Sequence, residues 1–364
     1  MDINRPQGRL GHRIRRKEAV NPSASVIVTA NRRVPLLGHA LKSALAQTFT
    51  EFELIVVNDC PDDAKAIDAL AAELSDHRLR IIHQDKTRGA NAARNVGIRA
   101  STGDILAFLD DDDRWLPAKL ERHLEAHAEN PYFGIVYSDA WTVWLDLPLP
   151  GERWSPGPVP DDVVVAMSQE LFNAGLPIST VRRECFTRCG LFDETIVSFQ
   201  DWDMWFAIAH KYQFRHVPQV LTVIGRHLGS RTSQAIDLRA YGLQQVLRKW
   251  DGEVNASEIE PRFTRVTFYS GIQNAILKGE RHDAIRLLRR MLPLLRPWQD
   301  RRLIIRILAM VIVGKKGYIW LRQRRRDRMT LSVLSGLQPI PASVSRNVAD
   351  FESNDDARAS HLAR

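Results

Sequence analysis

Two rhythms alternate from residue 24 to residue 138. Short runs rich in Val, Ile and Leu occupy 24–29, 52–57, 79–83, 104–109 and 134–138, each of a length that suits a strand buried on both faces. Between them, 34–47, 63–74, 90–100 and 117–129 carry apolar residues at helical spacing. The last opens on Pro117, where the missing N–H of proline costs little. Strands alternating with helices in this way predict βαβ units and an α/β fold on a doubly wound, mostly parallel sheet.

The pattern then loosens. Residues 145–160 are rich in Pro and Gly and read as a mobile loop or lid. A helix-like stretch follows at 163–172, a strand-like one at 178–181, and a helix opens at Gln200. From Leu238 onward the periodicity is wholly helical, and 263–278 and 282–295 resemble an antiparallel helix pair. Residues 21–237 therefore read as the sheet domain and 238–328 as a small helical region. The segments 1–20 and 329–364 read as a disordered basic arm and a disordered tail.

Polar residues gather just past the strand ends: Thr29 and Asn31, then Asp59, then Asp110-Asp111-Asp112-Asp113. Open α/β sheets bind ligands at the carboxyl ends of their strands. Four adjacent carboxylates cannot sit unpaired in a core. The run either stays solvated or gathers round a cation, and its place favours Mg or Mn, hard ions that take oxygen ligands. No glycine-rich dinucleotide fingerprint or P-loop occurs in the right context.

Charge sharpens the division. The chain carries a formal +8, yet residues 21–280 sum to −7 and residues 281–328 to +12. The body is acidic, and the basic stretch is expected to meet something anionic. Residues 303–321 are apolar but interrupted, and the longest uncharged stretch, 307–314, is far below the ~20 residues of a spanning helix. With basic residues around it, this segment suits a helix lying in an anionic membrane surface; it equally suits a core helix with a solvated basic rim. Residues 322–328 lack interleaved aromatics, so no nucleic acid is expected. Three cysteines are too few for a disulfide framework and suggest a reducing compartment. Cys185 and Cys189 have no second ligand pair for zinc. With no apolar stretch before Ala24, the expected location is cytoplasmic, or peripheral at the inner face of the membrane.

Taken together, these residues resemble the family-2 glycosyltransferases, which have the GT-A fold and transfer a sugar, with inversion, from a nucleotide-diphosphate donor. The resemblance runs over 24–233. It is carried by Ser25-Val26-Ile27-Val28-Thr29-Ala30-Asn31-Arg32, Ser43-Ala44-Leu45-Ala46-Gln47-Thr48-Phe49 and Leu54-Ile55-Val56-Val57-Asn58-Asp59. It continues through Ala93-Arg94-Asn95-Val96-Gly97-Ile98, the acidic run with Pro117 and Lys119-Leu120, Gln200-Asp201-Trp202-Asp203, and Arg226-His227 with Ser230 and Ser233. Each part is short; order and spacing make the match. The first strand is one residue short before Asn31, and two motifs depart from the family: Asn58-Asp59-Cys60-Pro61 replaces Asp-Asp-Gly-Ser, and Gln200-Asp201 replaces Glu-Asp. The second Asp is kept in both.

The resemblance implies roles. Asp59 would accept the N–H of a uracil-like or thymine-like base, since an ionised carboxylate only accepts; the plain alternative is a helix N-cap. Thr29 and Asn31 would line the same pocket. Arg94 would steady the nucleotide or diphosphate, unless it is a surface ion pair. Asp110, Asp111 and Asp112 correspond to the family's Asp-X-Asp motif. Asp110 would lie near the ribose. Asp111 is counted with the nucleotide-sugar pocket but, like Asp113, reads as solvated or structural. Asp112 would hold Mg or Mn across the two phosphates, with His227 reaching the metal from the return loop or serving as a structural histidine. Asp201 would be the general base that deprotonates the acceptor hydroxyl, and the acceptor would be a glycan or lipid-linked glycan. Two other classes remain: a nucleotidyltransferase, whose phosphate glycines are missing from 29–33, and a non-catalytic carbohydrate- or nucleotide-binding descendant, against which Asp59, Asp112 and Asp201 count.

Overall fold

The computed structural model describes residues 24–169, 172–228, 236–295 and 300–324. The expected arm and tail, with Ser230 and Ser233, lie outside them. The chain enters on β1 (Ala24–Ala30), then forms α1 (Val34–Leu45), β2 (Phe52–Asn58), α2 (Ala64–Leu74), β3 (Leu79–His83), α3 (Ala90–Ala100) and β4 (Ile105–Asp110). β1 sits between β2 and β4, and β2 pairs with β3, all parallel. These are the expected βαβ units, and their strands are legible because β1, β2 and β4 are buried along nearly their whole length.

The second half adds β5 (Arg114–Trp115), α4 (Lys119–Glu129), β6 (Phe133–Trp144), β7 (Glu152–Trp154) and α5 (Val163–Ser168). It continues with β8 (Ser179–Arg182), α6 (Arg183–Cys189), α7 (Gln200–Ala209) and β9 (Gln213–Arg226). The strand order is β3-β2-β1-β4-β8-β6-β9-β5, with β7 on β6. β8 runs against β4 and β6, β6 and β9 run parallel, and β5 and β7 run against their partners. β1, β2, β3, β4, β6 and β9 therefore share one direction, and their carboxyl ends share one edge of the sheet.

Three local expectations change. The helix expected from Pro117 starts at Lys119; Pro117 belongs to the preceding turn, where its carbonyl accepts from the Thr48 N–H and hydroxyl. The helix expected over 163–172 ends at Ser168. The 145–160 segment is tied down rather than loose. It contains β7, Arg153 pairs with Asp139 at 2.5 Å, and Tyr137 donates to the Gly157 carbonyl at 2.9 Å. Arg322 grips Glu152 from the far end of the chain.

Alternation along the strands splits the core. Ile27, Leu106 and Phe108 face α3 and α7, whereas Val26, Val28 and Leu109 face α1 and α4. Leu243 of α8 (Ile236–Lys249) and Ile259 and Phe263 of α9 (Ala256–Lys278) join the α7 side. The rest of α9 packs with α10 (Arg281–Met291), the expected helix pair, and with α11 (Arg301–Arg324) around Ile272, Ile276, Leu288, Ile307 and Met310. Leu149, from the β6–β7 connection, reaches into this cluster. Among the described residues, no helix is long and apolar enough to cross a membrane.

Candidate functional site

β4 ends at Asp110 and the chain turns at once, the Asp113 N–H donating to the Asp110 carbonyl at 3.1 Å. Asp111, Asp112 and Asp113 are all buried. Of the two readings for Asp111 and Asp113, solvated or structural, burial corrects the first and agrees with the second, and the reason is pairing. Asp111 meets Arg33 at 2.6 Å and accepts from the Asn31 N–H at 3.2 Å. Asp112 meets the same guanidinium at 3.0 Å and His227 Nε2 at 3.3 Å. Asp113 accepts from the Gly225 N–H at 2.9 Å. Protein donors take the place of water around these carboxylates. Gly225 is required by this approach, because a Cβ there would lie 2.1 Å from the Asp112 carbonyl oxygen.

Burial pushes the Asp111 carboxyl up, to about 7, against the pull of Arg33, and Asp112 pushes the same way. For Arg33, burial works downward, but Asp111 and then Asp112 outweigh it and hold the guanidinium above its ordinary range. Asp110, Asp112 and Asp113 each offer a carboxylate oxygen, and the three lie within 4.8 Å of one another. An all-oxygen set of this kind fits a hard divalent cation such as Mg or Mn.

Two strands away, Asp59 is buried and fully engaged. It accepts from the Gln84 side chain at 2.6 Å, the Arg88 and Gly89 N–H groups at 2.8 and 2.9 Å, and the Asn31 side chain at 3.4 Å. It clasps the loop before α3 and does not cap α2, whose N-cap is Asp63. Asn31 thus bridges the ends of β2 and β4, while Thr29 sits level with Asp110 in the ladder. Arg94 is no surface ion pair. It is nine-tenths buried, donates to Asp110 at 3.2 Å and to the Asn91 side chain at 3.4 Å, and lies 5.8 Å from the Phe192 ring centroid.

Asp201 is the second residue of α7, which opens directly after Phe199; that residue has φ +63°, a left-handed conformation that costs a bulky residue about 1–3 kcal/mol. Packing enforces it: the Phe263 ring lies 4.6 Å away and the Arg239 guanidinium 4.4 Å. Asp201 is half-buried and accepts from the Trp202 N–H at 2.8 Å. A Cβ on Gly175 would lie 4.0 Å from its Oδ2 and 3.1 Å from the Trp154 ring. Asp203, by contrast, is buried and accepts from Lys249 and from Trp250 Nε1, both at 2.8 Å, fastening α7 to α8. One acid roots the helix and the other lies beside Gly175.

A single short segment runs from Asp201 towards the end of the acidic turn. Gly175 abuts Asp201, and two residues later the Pro177 carbonyl accepts from Trp115 Nε1 at 3.4 Å, just past the acidic turn. Because Leu106 and Phe108 face α7, strand alternation sends Asp110 to that face as well. Sequence reasoning missed Arg33, Gln84 and Gly225. An arginine pair, Arg32-Arg33, beside a strand end opposite four aspartates was a usable signal for the first; the other two depend on contacts across the fold.

Comparison with known proteins gives one answer throughout. Residues 25–153 match the family described as Glycosyl transferase family 2. A glycosyltransferase of Haemophilus influenzae is 27% identical over 248 residues, 65% of this chain and 82% of its own. The Escherichia coli protein WcaA, named for colanic acid biosynthesis, is 28% identical over 199 residues, 53% of this chain and 68% of its own. Among solved structures, S. aureus TarS 1–349 in complex with UDP-GlcNAc superposes with a TM-score of 0.53 at 16% identity, covering 84% of this chain and 93% of that one, a likeness of fold. With the sheet, the strand-end acids and these matches in agreement, residues 25–153 form a family-2 glycosyltransferase domain, and the fold is that of the GT-A glycosyltransferases.

Proposed function

We propose that this enzyme moves a sugar from a nucleotide-diphosphate donor to a hydroxyl of a glycan or lipid-linked glycan acceptor, inverting the anomeric carbon, with Asp201 as general base. Asp112, with His227 and the neighbouring Asp110 and Asp113, would hold Mg or Mn. That ion supplies charge neutralisation for the departing nucleotide diphosphate. Asp59, Asn31 and Thr29 line the base pocket at the ends of β1 and β2. Arg94, steadied by Asp110, is placed to meet the nucleotide or its phosphates. Asp201 takes the proton of the acceptor hydroxyl as its oxygen attacks the anomeric carbon from the face opposite the diphosphate. Trp154 lies over the same spot and keeps water from competing.

The observation that carries this reading is the shared segment: residues 175–177 run from beside Asp201 to Trp115, two residues past the acidic turn. A substrate lying along it reaches both acids. The ligand named for TarS is a nucleotide sugar, and WcaA is named for a polysaccharide pathway, which supports the donor and acceptor classes. In this reading residues 21–237 form the catalytic unit, and 238–328 seat it at an anionic inner membrane face, where a lipid-linked acceptor resides. The test is a thermal-shift screen of UDP-, GDP- and dTDP-sugars with and without Mn²⁺. One nucleotide sugar should raise the melting temperature only with Mn²⁺, and Asp112→Asn should abolish the effect. A chain stabilised by none of them, or equally with chelator present, contradicts the reading.

A further inference from the structure

The acidic turn already holds a cation of its own. Arg33 Nη2 lies 2.6 Å from Asp111 and Nη1 lies 3.0 Å from Asp112, so one guanidinium spans two adjacent carboxylates. Its Nη1 is also 3.2 Å from His227 Nε2, which itself lies 3.3 Å from Asp112. The local backbone is built to deliver this side chain. Arg32 has φ +59°, unusual for a residue with a Cβ, and its N–H donates to Asp63 at 2.7 Å. The Asn31 N–H is fixed on Asp111. The chain therefore turns sharply between β1 and α1, and Arg33, the residue before α1, points into the carboxylates.

We propose that Arg33 is an internal counter-ion that occupies Asp112 until metal and donor arrive together. The inference rests on the metal role proposed above for Asp112. The shorter contact is with Asp111, which is not in the group of three carboxylates able to share an ion. Arg33 can stay on Asp111 while releasing Asp112, whose freed oxygen then turns to the ion. Two consequences follow. Without a donor, the guanidinium competes with the metal for Asp112, so the bare ion binds weakly. With a nucleotide diphosphate, the phosphates bring further negative charge and the ion is retained. Arg33 thereby makes metal capture depend on the donor, which keeps the site from being held by a divalent ion alone. It is a positioning residue and does not touch the reacting atoms.

The test measures Mn²⁺ binding, not turnover, by the electron paramagnetic resonance signal of free Mn²⁺ titrated with full-length protein. Wild type, Arg33→Ala, Arg33→Gln and Asp112→Asn are compared, each with and without UDP or GDP. Arg33→Ala and Arg33→Gln should bind bare Mn²⁺ at least about tenfold more tightly than wild type, a small part of what a unit charge so close exerts through partly buried protein. UDP or GDP should tighten binding in wild type much more than in either variant. The variants' melting temperature should fall without metal and recover with Mn²⁺, which a merely structural arginine would not produce. If Mn²⁺ binds in an Asp112-dependent way but the Arg33 variants bind it no more tightly than wild type, the counter-ion role is overturned while the metal reading stands. If no Asp112-dependent Mn²⁺ binding occurs under any condition, both are overturned. Arg33→Gln keeps the comparison available should the alanine variant not fold.

Discussion

Lys119 shows how differently this chain treats its buried and half-buried cations. Arg33 and Arg94 each sit on aspartates, but the Lys119 side chain is fully buried and its Nζ has no hydrogen-bond partner among the described residues. The amine lies 5.4 Å from the Trp115 ring centroid, and burial holds its pKa well below the ordinary lysine range. A desolvated amine without a partner is a cost, so Lys119→Met, of similar length and apolar, should raise stability by about 1–3 kcal/mol in urea denaturation. A loss of more than about 1 kcal/mol would mean that the amine satisfies a contact the fold needs. Lys119 was legible only as part of a motif. Nothing in its local pattern announced burial, because α4 turns the row Lys119, His123 and His127 toward the sheet, where both histidines meet the Thr180 hydroxyl at 3.0 Å.

At the scale of elements, β1, β2 and β4 could be read from sequence because they are buried along nearly their whole length. β9 could not, since Arg215, His216 and Pro218 interrupt its apolar residues and one half of it is partly exposed. β7 was hidden because three residues paired at an edge leave no periodicity; the prolines and glycines around it suggested looseness, whereas ion pairs to Asp139 and Arg322 hold it. α11 drew two readings, and its contacts give each a face to act on. Ile307, Met310 and Tyr318 pack inward. Before the break at Gly314, Ile305, Leu308 and Ile312 are exposed along with Arg302 and Arg306; after it, Lys315, Lys316 and Trp320 are exposed. An apolar row flanked by cations suits an anionic bilayer surface. The full chain should therefore float with phosphatidylglycerol vesicles and not with phosphatidylcholine ones, and Ile305→Glu with Ile312→Glu should abolish flotation while leaving the melting temperature near wild type. Wild type remaining in the dense fraction with anionic vesicles contradicts the membrane proposal.

Across the whole molecule, the proposed chemistry depends on convergence. Asp59, Asp112 and Asp201 come from three separate parts of the chain, and the sheet gathers the first two because β2 and β4 end at one edge. The sequence carried that much, since strand ends and acidic residues are both visible in it. It did not carry the route by which Asp201 is proposed to join them. That route runs through the left-handed Phe199 and through Gly175, whose missing side chain lets Asp201 and Trp154 approach the same segment. Nor did it show how three aspartates tolerate burial, because Arg33, the Asn31 N–H and the Gly225 N–H come from other elements. The most direct test compares wild type and Asp201→Asn with whichever nucleotide sugar stabilises the chain, measuring donor affinity and sugar transfer on the same preparation. Donor affinity should stay near that of wild type while turnover falls by about two to four decades; undiminished turnover would remove Asp201 from the reaction and contradict the account.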